Sequence, residues 1–125
     1  GQPDNALLEH QKAVQFDPQS GMYHAALAGA YRKLGREDEA AKHLRIAGRL
    51  IKKEGPYNYA CYESICGNIE GALAWLKKSL RSSSDRGLRN WAAIDPDFIW
   101  IRDDPRFGVL VKDSGVGNRK RHFSL

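Results

Sequence analysis

Small and apolar residues recur along the first two thirds of the chain at helical intervals. In "GMYHAALAGAYRKLG" they fall at 23, 27, 28, 30 and 31, one stripe of a 3.6-residue period. Gly35 follows where a C-terminal cap is needed. "EDEAAKHLRIAGRLI" carries a second stripe at Ala40, Leu44, Ala47 and Leu50. Small residues at 28, 40 and 47 let two helices approach closely, while Leu27, Tyr31 and Leu44 fill the groove between them. The pair predicts a helical hairpin. One hairpin cannot bury both its faces, so stacked neighbours are expected.

Self-comparison extends the pattern. "ALLEHQKAVQFDP" from Ala6, "AAKHLRIAGRLIK" from Ala40 and "ALAWLKKSLRSSS" from Ala72 align, with spacings of 34 and then 32 residues. His10, Leu44 and Leu76 correspond, as do Ala13, Ala47 and Ser79. Upstream, Leu27, Ala28 and Gly35 correspond to Tyr59, Ala60 and Gly67 at the same offset of 32. The two-residue deletion therefore falls in the interval holding "KKEGP", where Gly55 and Pro56 break the helix.

These positions resemble the tetratricopeptide repeat, whose pattern sets Leu-Gly/Ala, Tyr, Gly, Ala, an aromatic or Leu, Ala and Pro along about 34 residues. The middle repeat supplies Leu27-Ala28, Tyr31, Gly35, Ala40, Leu44 and Ala47, with Lys52 where proline is usual. The first segment closes on "FDP" with Pro18; the third has Tyr59-Ala60, Gly67, Ala72, Leu76 and Ser79, and departs at Ile65. The resemblance covers about residues 1–84. It implies an all-α fold in which antiparallel helical hairpins stack as a right-handed α-solenoid with short C-terminal capping helices. The division expected is 1–18 (second helix of a truncated repeat), 20–52 (repeat), 55–82 (divergent repeat), 85–113 (capping helices) and 114–125 (a basic, disordered tail). Gly1 falls where a mid-repeat glycine belongs, which suggests a piece of a longer protein.

The resemblance also implies a function: a scaffold whose successive first helices, about 21–34, 56–66 and a third at 86–94, line a concave groove for a peptide or helix of a partner. Its groove-facing positions are Met22, Ala25, Gly29, Arg32 and Lys33, then Tyr57, Asn58, Cys61 and Ser64. A subfamily clamps acidic chaperone tails with lysine and asparagine one turn apart. Here Ala25 and Gly29 hold those places, and Asn58 matches a later one alone.

One stretch invites a different reading. "AAIDPDFIWIRDDPRFGVLV", residues 92–111, has four aspartates and two Asp-Pro pairs. Aspartate before proline starts helices: the carboxylate accepts orphan N–H groups, and proline suits the first helical position. Asp97 belongs to the first turn, where the helix dipole favours negative charge. Asp95, Asp97, Asp103 and Asp104 lack the alternating donors, glycine and terminal glutamate of a calcium loop. The stretch is thus expected to be a lid on the last hairpin, its apolar residues covering the exposed end, and not a site.

Composition narrows the rest. The 125 residues are 42% hydrophobic and 28% charged, as in a globular domain. The net charge of +5 depends on Arg119, Lys120 and Arg121; without those three of the twenty basic residues, 17 face 15 acidic ones, a net of +2. Nucleic acid is not the expected partner, although the tail is an alternative route to an anionic one. Another alternative is a recruiting or regulatory part of a larger enzyme. Cys61 and Cys66, five apart, turn through roughly 500° and point apart on a helix. They read as free thiols of a reducing, cytoplasmic setting. His10, His24, His43 and His122 have no ligand spacing, and Ser82–Ser84 have no nucleophile elbow. No catalytic, cofactor or metal site, no small-molecule substrate and no membrane span are expected.

Overall fold

The computed structural model describes residues 2–84 and 86–112; the tail 114–125, with Arg119, Lys120, Arg121 and His122, lies outside them. The described residues form seven α-helices and no strand: α1 (Gln2–Phe16), α2 (Gly21–Lys33), α3 (Glu37–Leu50), α4 (Pro56–Cys66), α5 (Ile69–Ser82), α6 (Arg86–Ile94) and α7 (Pro105–Lys112). Short 3-10 turns occupy Ile51–Lys53 and Pro96–Phe98. The protein is all-α.

Local chemistry punctuates these helices. The Ser20 hydroxyl accepts from the Tyr23 N–H at 3.1 Å, and the Asn68 side chain accepts from the Gly71 N–H at 3.1 Å. Gly35 and Gly67 end α2 and α4 with φ of 76° and 86°, a region side chains with a Cβ avoid. Pro56 opens α4 at the position where no donor is needed. No side chain caps α3 at Arg36. Glu37, Asp38 and Glu39 instead crowd its first turn, where the dipole favours them.

Consecutive helices pair, α2 with α3 and α4 with α5, and α2 also packs against α1 and α4. The first pair runs antiparallel: Gly21 at the start of α2 abuts Ile51 just beyond α3. From the same corner, Glu54 accepts the Met22 N–H at 3.2 Å as well as that of Gly21. A methyl group on Gly21 would lie 2.7 Å from the Ile51 nitrogen, a backbone atom that cannot swing aside. Gly21→Ala is therefore expected to cost about 1–3 kcal/mol of stability, the range for overpacking. Chemical denaturation checks this, and an unchanged midpoint would refute the close approach.

Alanines make the tight packing possible. Ala25, Ala28, Ala40 and Ala47 are buried with Leu27, Tyr31 and Ile65 in one cluster. A second joins Ala60, Cys61, Ala72, Leu73, Leu76 and Leu80 to Ala92, Phe98, Ile101 and Phe107. The last four belong to residues 86–112, so this segment is built into the core beside α4 and α5. Its approach to α4 is made by the Pro96–Phe98 turn. Arg106 makes paired hydrogen bonds to Glu70, at 2.9 and 2.7 Å, and Arg89 donates to the Leu110 carbonyl, tying α7 to α5 and α6.

Candidate functional site

Where α1, α2, α4 and residues 91–100 converge they leave a cavity of about 360 Å³. Ala6, Met22, Ala26, Gly29 and Ala30 form an apolar wall, opposed by Trp91 and Trp100. His10, Lys33, Tyr57, Asn58, Cys61, Asp95 and Asp97 add polar groups. Small residues on α2 create the space, since Ala26, Gly29 and Ala30 cannot reach across it. Trp91 is 49% exposed, a large aromatic left partly in water at the cavity's edge.

The nine positions suggested for partner contact divide. Met22, Gly29, Lys33, Tyr57, Asn58 and Cys61 line the cavity. Ala25 and Ser64 are 0% exposed and can touch no partner: Ala25 packs in the α2–α3 core, and the Ser64 hydroxyl donates to the Asp97 carbonyl at 2.7 Å. Arg32 is engaged within the fold. Its guanidinium donates to the Ile65 carbonyl and lies 4.2 Å from the centroid of the Trp100 ring. Asn58 reaches Glu54 at 3.5 Å.

The DPDF segment lines the cavity with Asp95, Pro96 and Asp97. Asp95 does begin the Pro96–Phe98 turn, its Oδ1 accepting the Asp97 N–H at 2.9 Å. Its other oxygen accepts from the Tyr57 hydroxyl at 2.8 Å, and Asp95 is only 4% exposed. Cys61 Sγ and the Asp95 and Asp97 carboxylates lie within 4.8 Å of one another. Burial, then the two carboxylates, pushes the Cys61 thiol far above its usual range, so it is a protonated, inert thiol. Burial and the Asp95 carboxylate likewise hold the Tyr57 phenol protonated. Asp97 is raised to about 6 by burial and by the Asp95 charge, with Lys33 opposing. Asp95 is thus supplied with donors, the Cys61 thiol among them at 4.0 Å, whereas the Asp97 carboxylate, which feels the same thiol, forms no ion pair among the described residues.

The two histidines of α2 and α3 also meet. His24 Nε2 lies 2.8 Å from the Pro18 carbonyl, which can only accept, so that nitrogen carries a proton. His24 Nδ1 lies 3.0 Å from His43 Nδ1, and the rings stack. Burial, His24 and Lys42 lower the His43 pKa. The pair joins α2 to α3.

Trp91, Trp100, Asp95 and Asp97 are the lining residues that repeat periodicity does not mark. The signal available was the aromatic content of residues 91–100 beside two aspartates. What was not visible is that they face α2 and α4. The chain matches no family model, no curated protein and no solved structure.

Proposed function

We propose that the chain is a non-catalytic protein-interaction module of the tetratricopeptide type, holding a peptide or helix of a partner protein in the cavity between α2, α4 and residues 91–100. The observation that supports this reading is the cavity's lining: an apolar wall of small residues, exposed Trp91 opposite, and polar groups spaced between. Half-exposed aromatic side chains beside a concave apolar surface are the usual anchors of protein interfaces. Within this reading the paired helices are units of a stacked array, with successive first helices facing the partner. The chemistry at the cavity also suits binding better than catalysis. Its thiol and phenol are held protonated, and the acidic oxygens of Asp95 are occupied by structural donors.

Site-specific photocrosslinking tests the proposal. A benzoylphenylalanine in place of Trp91 is expected to capture a discrete protein in cells of the source organism. The same group in place of exposed Lys78, on α5, is expected to capture none of it. Equal capture at both positions, or none at 91, would overturn the assignment of the groove.

A further inference from the structure

The groove carries a charge imbalance that selects among peptides. Two carboxylates, Asp95 and Asp97, line it against one ammonium, Lys33, and burial lowers the pKa of His10, favouring its neutral form. Asp95 is satisfied inside the fold by Tyr57 and by the Asp97 N–H. Asp97 is not: its carboxylate has about four lone-pair sites, and no N–H or hydroxyl donor fills any of them among the described residues. Lys33, whose charge acts on Asp97 from the same lining, forms no ion pair with it there. A half-buried carboxylate without a cation is costly to keep, because desolvation is not repaid by pairing. Anionic partner segments are disfavoured by the same two charges, which departs from a clamp for acidic tails.

The surroundings of Asp97 suit a long cationic side chain. Such a side chain has an apolar stem that prefers aromatic surface and a head that donates to carboxylates. Trp91 and Trp100 supply the surface, and Arg32 already lies over the Trp100 ring as a cation. We propose that the partner segment inserts a lysine or arginine into this groove, its stem against Trp91 and Trp100 and its cation on the Asp97 carboxylate. This rests on the reading of the cavity as a peptide groove and adds the class of residue it recognises.

Four pools of acetylated, amidated pentapeptides test it, with arginine, lysine, norleucine or glutamate at the centre and Ala, Leu, Phe or Ser elsewhere. Binding is read from the indole N–H signals of Trp91 and Trp100 in NMR titrations at low salt. The arginine and lysine pools are expected to bind at least tenfold more tightly than norleucine, and the glutamate pool to bind most weakly. Asp97→Asn is expected to bring arginine down to the norleucine level while norleucine binding is unchanged. Norleucine equal to arginine in the native chain, or an arginine preference that survives Asp97→Asn, would overturn the cation proposal yet leave the peptide groove standing. No pool binding, together with no crosslink at position 91, would sink the groove itself. No pool binding with a specific crosslink at 91 would sink the cation proposal alone. A metal occupant gives another result: added cobalt(II) would produce a thiolate charge-transfer band that Cys61→Ser removes. Such a band with no arginine preference would replace the peptide cation by a metal ion.

Discussion

Phe98→Ala is expected to lower the free energy of unfolding by about 3–5 kcal/mol, the range for removing a fully buried aromatic ring. Phe98 is 0% exposed and the largest fully buried side chain among the described residues. Its ring meets Tyr57 edge-on at 5.6 Å and Phe107 at 5.7 Å, so it joins α4, the Pro96–Phe98 turn and α7 at one point. Ala60, Ala72 and Ala92 of the same cluster are too small to fill the space the ring would leave. Against the 5–15 kcal/mol typical of a domain, this loss is a large fraction. Urea denaturation at pH 7 reads it directly. A cost below about 1 kcal/mol, within the range of ordinary surface substitutions, would mean that residues 95–107 are not packed on α4 as described.

The second large effect has the opposite sign. Asp97 ionises at about 6 in the fold, against 3.8 for a free aspartate, because burial and the neighbouring Asp95 charge oppose its ionisation. Between those two values the folded chain holds the proton more tightly than the unfolded one. Stability contributed by this group is therefore highest below pH 3.8, falls as pH rises to about 6, and stays at the lower level above. A displacement of this size corresponds to at most about 3 kcal/mol. Asp97→Asn removes the ionisation and is expected to raise stability at pH 7.5 by up to about 3 kcal/mol, with the gain shrinking toward zero near pH 4. Denaturation of both proteins at pH 4, 5, 6 and 7.5 checks the trend. Destabilisation at pH 7.5, or a gain that grows on acidification, would contradict it. A variant that is more stable and binds a cationic peptide less well would show a carboxylate retained for recognition at the expense of the fold.

These two residues lie four sequence positions or fewer from the same Asp-Pro pair, and their roles were legible to different degrees. That residues 95–111 would contain helix starts followed from Asp95-Pro96 and Asp104-Pro105, and both aspartates do accept N–H groups two residues on, from Asp97 and Arg106. That Phe98 would be buried was implied by its apolar character. That Asp97 would lie half-buried beside a thiol, a phenol and a second carboxylate was not. Cys61 and Tyr57 stand 36 and 40 residues earlier in the chain, and no local rule links them to it. The groove positions divided in the same way. Met22 and Lys33 follow from the face of α2 they occupy, but Arg32 was claimed by the Ile65 carbonyl and Trp100 on neighbouring elements.

The amino-acid sequence by itself determined the helices and their ends. Periodicity, N-capping serine and asparagine, positive-φ glycines and helix-opening prolines all act within a few residues, so their consequences can be read along the chain. It also determined where helices can approach closely, since an alanine is small wherever it is placed. The tertiary structure alone decided the electrostatic company of each group. Charge, hydrogen bonding and desolvation act through space, over a few ångströms, between residues that meet only after the elements pack. Asp97 is an ordinary first-turn aspartate in the sequence; with Asp95, Cys61 and Trp100 it lines a cavity.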